Sequence, residues 1–218
     1  MRHLTLASAS PRRSELLRAV GLTFNVVPSD VEEVFPDGAR AEDVARDLAF
    51  AKARGVAASR RWDVVLGADT LVVVGEGTDE EILGKPADAS EAAVMLGKLS
   101  GRTHRVITGM AVVSCDGRDP WDEWDACVVR VEAVTTRVTF RTLTSGDIGG
   151  YVASGESMDK AGAYAIQGGA ARFVERVEGD YYNVVGLSLH ATIRLLCGLV
   201  PVYAEPPPPP PMPFPILP

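Results

Sequence analysis

A strand leads directly into a helix in the segment LASASPRRSELL, residues 6–17. Ser10 is a typical helix N-cap, and Pro11 suits the first helical position. The free backbone N–H groups and the dipole of such a helix start favour an anion. Arg12 and Arg13 lie in the first turn, where their charge opposes the dipole unless an anion lies between them. These residues leave two interpretations open, a phosphate site or an ordinary capped helix with solvated arginines.

Helical and extended patterns alternate along the rest of the chain. Val44, Leu48 and Ala51 share one face of a predicted helix. Interleaved helices and strands predict an α/β or α+β fold with a mixed sheet. The predicted helices cover residues 11–20, 41–59, 90–99, 147–153 and 188–197, and the predicted strands cover 4–7, 24–27, 63–66, 71–74, 105–114, 128–140, 174–177 and 184–185.

The charge balance excludes some partners. The chain has 218 residues and a formal net charge of −7, which argues against binding a nucleic acid polymer, because that affinity depends on clustered Lys and Arg. A small polyanion is still compatible, since a local pocket can oppose the global sign. Residues 1–20 hold four arginines and one glutamate, whereas residues 29–47 hold seven acids and two arginines. We therefore expect an anion-binding half and a metal-binding half of one site.

The sequence also indicates a compartment. No apolar run approaches the roughly 18–20 residues needed to span a bilayer, and the N-terminus lacks the apolar stretch of a signal peptide. Cys115, Cys127 and Cys197 are odd in number and lack CxxC spacing, so neither a disulfide framework nor a structural zinc site is expected. With three histidines, a His-rich metal site is not expected either. We predict a reduced, cytoplasmic protein that does not contact a membrane.

Proline is concentrated at one end of the chain. Nine of the 15 prolines fall in residues 206–218. Such a segment cannot form a core and is expected to be polyproline II or disordered. We therefore predict a folded domain over residues 1–205, followed by a proline-rich tail over residues 206–218.

Three positions carry charges that suit catalysis. Asp69 follows an apolar strand, in GADT at 67–70, where it could hold a metal or take a proton from water. A turn aspartate that bonds its own backbone is the alternative. Lys52 lies on the apolar face of the helix 41–59 and either reaches a charged cleft or extends its amine to solvent. One carboxylate of Asp30–Glu33 would serve a Mg²⁺ site, although most acids there are expected to form a solvated face.

Other polar residues are less specific. Lys85 precedes Pro86 at the end of a polar loop and is a surface charge or a ligand contact. Gln167 lies in a glycine-rich segment, and its amide can donate and accept at once, which suits a nucleobase edge as well as a solvent-exposed surface. His104 is a lone histidine, for which we expect a structural role.

Six short motifs follow one another along residues 4–197. They are LASASPRRSELL (6–17), GADT (67–70), LGKP (83–86), KLSGRTHRVITG (98–109), FRTLT (140–144) and DKAGAYAIQG (159–168). In this order they resemble the Maf family of nucleoside triphosphate pyrophosphatases. The glycine-rich segment resembles the branch that acts on dTTP and UTP and differs from the branch that acts on 7-methyl-GTP.

The resemblance implies a fold and a set of roles. The fold is an elongated mixed β-sheet flanked by helices, in two lobes with a central cleft, similar to inosine triphosphatase. Asp69 matches the catalytic aspartate, as general base or metal ligand, and Glu33 matches a carboxylate linked to the metal, Mg²⁺ or Mn²⁺. The family is often homodimeric. The positions that match substrate contacts are Ser8, Arg12, Arg13, Lys52, Thr70, Lys85 and Gln167, of which Arg12, Thr70 and Gln167 are tied to substrate choice.

The resulting hypothesis is a metal-dependent hydrolase that cleaves dTTP, UTP or related pyrimidine nucleotides at the α–β phosphate bond, giving the monophosphate and pyrophosphate. One alternative is a pyrophosphatase for other non-standard nucleotides, such as ITP or 7-methyl-GTP. A second is a protein that regulates division or septation by binding a partner. Intact motif positions argue against the second alternative.

Overall fold

A seven-stranded mixed sheet forms the centre of the protein. The computed structural model describes residues 2–33, 35–36, 38–122 and 124–202, so the tail 206–218 lies outside the described residues. The strands are β1 (Leu4–Leu6), β2 (Phe24–Val26), β3 (Val64–Val74), β4 (Glu81–Leu83), β5 (Thr103–Ser114), β6 (Val128–Phe140) and β7 (Val174–Glu178). Their order in the sheet is β2-β1-β3-β5-β6-β7, and β4 pairs with β3 outside this order. The mixed sheet predicted from the sequence is confirmed.

In the described residues, four α-helices lie between strands along the chain, and two follow the last strand. The second helix and the sixth strand have the predicted bounds, 41–59 and 128–140, whereas the short strand β4 was expected to be loop. Residues 184–185 were expected to be extended, but they end a short helix over 181–185. Within the described residues, no helix is long and apolar enough to cross a membrane. The helices are α1 (Pro11–Ala19), α2 (Ala41–Ser59), α3 (Ala89–Leu99), α4 (Ser145–Ala153), α5 (Tyr181–Val185) and α6 (Leu189–Leu196).

Strand β3 is continuous, so the expectation that it ends at Gly67–Thr70 is wrong. Residues 64–73 pair with β5 without interruption, and this ladder holds the segment extended. Asp69 is therefore in the middle of a strand, neither at its carboxyl end nor in a turn. The missing side chain of Gly67 instead allows a close contact with the backbone of a distant helix, which the local sequence does not reveal.

The other edge of β3 is shared by two short strands that leave a gap. β1 pairs in parallel with residues 64–66, and β4 pairs antiparallel with residues 72–74. In the part of the chain that the structure describes, no strand pairs with residues 67–71 on this edge. The gap separates a side built on β1 from a side built on β4.

The two faces of the sheet pack against different helices. Successive strand residues point to opposite faces. Val65 and Leu71 are buried against α2, whereas Leu66 and Val72 belong to the larger core on the other face. Asp69 therefore points to the α2 face, and its neighbour Thr70 points to the opposite face.

A disulfide contradicts the expectation of three reduced cysteines. Cys115 and Cys127 are bonded, with their Cα atoms 4.2 Å apart. Ser114 and Val128 form the last pair of the β5–β6 ladder, so the next residue outward on each strand is brought opposite its counterpart. A search for CxxC motifs examines only local spacing, whereas a hairpin brings together residues that are far apart in sequence. Cys197 is free and exposed.

Candidate active site

A cavity of about 430 Å³ opens at the gap in the edge of β3, a volume in the usual range for small-molecule sites. Its lining joins the loop after β1 and the first turn of α1 to β3 and to the segment after β4. The cavity thus brings together eight of the nine predicted site residues, and Gln167 is the exception. The eight are Ser8, Arg12, Arg13, Glu33, Lys52, Asp69, Thr70 and Lys85.

Asp69 forms a short ion pair in the cavity. Its Oδ1 accepts a hydrogen bond from Lys52 Nζ at 2.5 Å, and Glu33 Oε1 accepts another from the same amine at 2.8 Å. The side chains of Lys52 and Asp69 are nearly buried, with 10% and 7% of their surface exposed. Lys85 Nζ contacts both oxygens of Glu33, at 3.1 and 3.0 Å. Two carboxylates and two ammonium groups therefore form one connected cluster.

Two glycines allow α2 to deliver Lys52 to this point. Gly109 is the cross-strand partner of Asp69, and a Cβ there would lie 1.9 Å from the carbonyl oxygen of Ala45 in α2. A Cβ on Gly67 would lie 2.2 Å from the carbonyl oxygen of Ala49. The helix therefore packs on the bare backbone of β3 and β5. Lys52, one turn further along, consequently points to Asp69 instead of reaching solvent.

Arg13 is held by neutral acceptors. Its guanidinium donates to the carbonyl oxygen of Gly186 at 2.9 Å, to Ser8 Oγ at 3.0 Å and to Thr70 Oγ1 at 3.1 Å. Burial lowers the pKa of Arg13, and the nearby charge of Asp69 partly offsets this effect. An arginine stays protonated in proteins, so its charge is available to an anion in the cavity. Among the described residues, no carboxylate forms an ion pair with it.

A chain of hydroxyl and amide groups fixes Thr70. Its Oγ1 lies 2.9 Å from Thr108 Oγ1, and Thr108 donates to the carbonyl oxygen of Asn183 at 3.0 Å. The Asn183 side chain in turn donates to the Val106 carbonyl at 2.9 Å and to Thr136 Oγ1 at 3.0 Å. These bonds tie α5, and the Gly186 carbonyl after it, to the sheet. Thr108, Asn183 and Gly186 were not predicted, since only the three-dimensional contacts identify them.

The mouth of the cavity carries a second charged group. Arg12 lies 4.0 Å from Asp159, which also pairs with Lys160. Hydrogen bonding to Lys160 is the main reason that the pKa of Asp159 lies below its ordinary value. Lys160 was not predicted as a site residue, although the segment DKAGAYAIQG contains it. Arg12 and Lys160 come from opposite sides of the gap, so both can face one ligand.

Part of the cavity lining is apolar. It includes Val72, Val106, Val184 and Tyr164. Tyr164 is held in place by His104, because its hydroxyl lies 2.9 Å from His104 Nε2. Burial raises the pKa of the Tyr164 hydroxyl, which keeps it neutral. This apolar part of the lining offers van der Waals surface to an uncharged planar group.

For two predicted residues, Gln167 and Ser10, the structure does not show the expected side-chain contact. Gln167 is exposed and is not among the residues that line the cavity, so its contact with a base stays a prediction. Ser10 occupies the N-cap position of α1, but its side chain makes no capping hydrogen bond. The first turn of α1 therefore faces the cavity without a capping side chain from Ser10.

The cluster of Asp69 and Glu33 fits the donor set of a hard divalent cation. Partial burial raises the pKa of Glu33, but Lys52 and Lys85 outweigh it, and the pKa lies below its ordinary value. Glu33 is thus ionised near neutral pH. Mg²⁺ is usually held by one or two carboxylates together with substrate phosphates. Two carboxylates that share one amine meet that need, although the described residues hold no group of three potential metal ligands.

The chain is similar to several known proteins. A dTTP/UTP pyrophosphatase of Symbiobacterium thermophilum is 48% identical over 90% of this chain and 93% of its own length. A dTTP/UTP pyrophosphatase of Moorella thermoacetica is 51% identical over 90% of this chain and 94% of its own length. The structure of a HAM1 protein from Coxiella burnetii covers 64% of this chain and 73% of that chain, with 16% identity and a TM-score of 0.38.

The family assignment rests on the extent of the match. The model of the family described as Maf-like protein matches residues 3–199. This range contains every residue that lines the cavity. The chain therefore belongs to the Maf family.

Proposed function

We propose that this protein hydrolyses dTTP and UTP to the nucleoside monophosphate and pyrophosphate. One observation carries the proposal: a buried carboxylate, Asp69, lies in the same cavity as five basic side chains. Triphosphates need such cationic groups, and hydrolysis needs a group that accepts a proton from water. The names of the family relatives point to the same reaction. The basic side chains are Arg12, Arg13, Lys52, Lys85 and Lys160.

In this proposal, different parts of the cavity bind the phosphates and the base of the nucleotide. Arg13, Lys52 and Lys85 offset the charge of the β- and γ-phosphates, and the apolar part of the lining beside Tyr164 receives the pyrimidine. The Gly186 carbonyl accepts a hydrogen bond from Arg13 and thereby orients it. Positioning and electrostatic stabilisation then supply most of the rate.

Water is the only reactant that the nucleotide needs. Water oxygen forms a bond to the α-phosphorus, and the bond from that phosphorus to the bridging oxygen breaks. Pyrophosphate leaves with the electron pair, and Asp69 accepts a proton from the water. Lys52, at 2.5 Å from Asp69 Oδ1, fixes the position of this carboxylate before substrate enters.

The metal requirement is part of the proposal. Asp69 and Glu33 would hold Mg²⁺ or Mn²⁺. When bound, such an ion withdraws charge from phosphate oxygens and lowers the pKa of water. Asp69 is therefore suited to two roles, as general base and as metal ligand.

The decisive experiment replaces Asp69 with asparagine, which keeps the size of the side chain and removes its charge. Turnover of dTTP and UTP, measured as pyrophosphate release, is expected to fall by about 10²–10⁴-fold, the usual contribution of a general base. Asp43→Asn is the matched control, because Asp43 is an exposed carboxylate of α2 that pairs with Arg46 outside the cavity. Near-normal turnover by the Asp69 variant would exclude this mechanism.

A nucleotide panel tests the substrate class. We expect release of pyrophosphate from dTTP and UTP, and little from ITP or 7-methyl-GTP. Strong turnover of ITP without UTP would favour a pyrophosphatase for modified purines instead. A role in division or septation, the homodimer and the cytoplasmic location stay predictions. The Cys115–Cys127 disulfide makes the compartment worth testing directly, because disulfides are rare in the cytosol.

A further inference from the structure

Lys52 lies where a cation would have to bind. Its amine contacts Asp69 Oδ1 at 2.5 Å and Glu33 Oε1 at 2.8 Å. Lys85 adds a second positive charge on Glu33, at 3.0 Å. Both carboxylates are therefore neutralised by side chains of the same cavity, and the Lys52 amine is nearly buried between them.

An ammonium group and a divalent cation compete for the same carboxylate oxygens. Mg²⁺ and Mn²⁺ bind oxygen ligands at close range and lose hydration water to do so. With Lys52 in contact, a cation at Asp69 would meet a positive charge within the same few ångströms, in a partly desolvated place where charges are weakly screened. The carboxylates alone are therefore a poor cation site.

A polyphosphate removes this conflict. Arg13 and Lys85 line the same cavity as Lys52, so a triphosphate that enters gives the two lysines another anionic partner. Once Lys52 turns to a phosphate, Asp69 and Glu33 regain unpaired negative charge. The phosphates also add oxygen ligands of their own.

We propose that Lys52 excludes divalent cations from Asp69 and Glu33 until a nucleotide polyphosphate draws it away, so that nucleotide and cation bind cooperatively. This inference rests on the proposed function in one respect, namely that a nucleoside triphosphate occupies the cavity. Cooperative binding is reciprocal, so the cation strengthens nucleotide binding by the same factor. The protein consequently avoids holding a bare cation next to an attacking water when no substrate is present.

The test measures Mn²⁺ binding directly, by the electron paramagnetic resonance signal of free Mn²⁺. The wild type is expected to bind Mn²⁺ weakly alone, and on the order of tenfold or more tightly with the non-hydrolysable analogue α,β-imido-dUTP, after correction for Mn²⁺ bound by the analogue itself. Lys52→Gln is expected to bind Mn²⁺ tightly without the analogue. Equal Mn²⁺ affinity of wild type and Lys52→Gln without nucleotide would overturn the inference.

Matched variants identify the site that is gained. Lys98→Gln removes a lysine of α3 that pairs with Glu81 at 2.5 Å, outside the cavity, and it is expected to leave Mn²⁺ binding as in the wild type. Adding Glu33→Gln to Lys52→Gln should remove the gained affinity. If the double variant still binds Mn²⁺ tightly, the cation lies elsewhere and the inference is wrong.

Two measurements keep the test decisive if Lys52→Gln is unstable. Circular dichroism reports whether the variant is folded, and Lys52→Arg, which keeps the charge, should exclude Mn²⁺ as the wild type does. An arginine variant that binds Mn²⁺ as tightly as the glutamine variant would also refute the inference. Failure of the proposed function gives a different result, namely no pyrophosphate from dTTP or UTP while the Mn²⁺ difference between wild type and Lys52→Gln persists.

Discussion

At the scale of single residues, the site is divided between neighbours in one strand. Asp69 points to the α2 face and meets Lys52 at 2.5 Å, while Thr70 points to the other face and accepts from Arg13 at 3.1 Å. Neighbouring side chains of a strand point to opposite faces of the sheet. The carboxylate that is proposed to accept a proton and the hydroxyl that orients the arginine therefore lie on different faces. One residue of slippage in β3 would exchange these roles and disrupt both.

His104 shows how a buried residue supports the cavity without lining it. Its ring lies edge-on to Phe140 at 5.0 Å and to Tyr164 at 5.5 Å. Burial lowers the pKa of His104 to about 3. The structural role expected from the sequence agrees with these contacts. A charge on this imidazole would have no compensation within the aromatic cluster.

The histidine predicts a pH dependence of stability. The unfolded chain protonates His104 below about pH 6.5, whereas the folded protein does not until about pH 3. Stability is therefore lost as the pH falls between those values. From about pH 7 to 5, the wild type should lose about 2 kcal/mol more unfolding free energy than His104→Gln, measured by urea titration. Parallel pH profiles for the two proteins would contradict the neutral histidine.

At the scale of elements, the contact of α2 with the sheet places the Lys52–Asp69 ion pair. The bounds of α2 could be predicted because Val44 and Leu48 give its apolar period. The continuity of β3 could not, because glycine is a turn signal in a local window. What requires Gly67 is the backbone of a helix 18 residues earlier, at Ala49. A local sequence pattern does not predict the continuity of β3, because a contact with a helix distant in sequence determines the residue at this position.

Adding one methyl group to a glycine tests whether the close contact of α2 with the sheet positions Lys52. Gly109→Ala would place its Cβ 1.9 Å from the Ala45 carbonyl oxygen, so α2 must move away from the sheet. We expect a loss of about 1–3 kcal/mol in unfolding free energy and a drop in turnover, because Lys52 moves with the helix. Gly97→Ala in α3 is the control, since it meets nothing within 4 Å and should stabilise by about 0.5–1 kcal/mol. Unchanged turnover in the Gly109 variant would show that α2 does not position Lys52.

The disulfide ties the same region at the open end of the β5–β6 hairpin. Trp121, in the loop that it closes, stacks with Arg54 of α2 at 3.9 Å. The sequence contained a usable signal, because Cys115 and Cys127 flank two predicted strands at matching distances from the loop. That signal becomes visible only after the two strands are paired with each other.

Thiol counting tests the disulfide. Denatured, unreduced protein is expected to show one reactive thiol, from Cys197, and three after reduction. Reduction should lower the unfolding free energy by about 2–4 kcal/mol, since the bond closes a loop with a sequence separation of 12 residues. Cys197→Ser should remove the single thiol without this loss. Three reactive thiols before reduction would show that the pair is not bonded.

At the scale of the whole molecule, the family match and the cavity lie within the same part of the chain. The match ends at residue 199, and the cavity is lined by residues between 7 and 186. The mixed sheet could be predicted from alternating local patterns, and eight of the nine candidate site residues do lie at one cavity, because they belong to short motifs that can be recognised locally. Lys160 and Tyr164 were missed as site residues because only the folded chain places them at the cavity.

Removal of the tail tests the division at residue 205. A chain that ends at residue 205 is expected to release pyrophosphate from dTTP at the wild-type rate, because no residue of the cavity is lost. Its thermal unfolding midpoint should also be unchanged. Size-exclusion chromatography of both chains, side by side, would reveal a role of the tail in assembly. Slower turnover in the shorter chain would place part of the tail in the working enzyme.

The gap in the edge of β3 also determines how the spacing of two cations is set. β3 and β5 run uninterrupted past it, whereas β1 and β4 end on either side. Arg13 follows β1 and Lys85 follows β4, so the two cations lie on opposite sides of the gap. Their separation therefore depends on the twist of β3 and β5, two strands to which neither residue belongs. A substitution that changes this twist would change the spacing of the two cations without altering either of them.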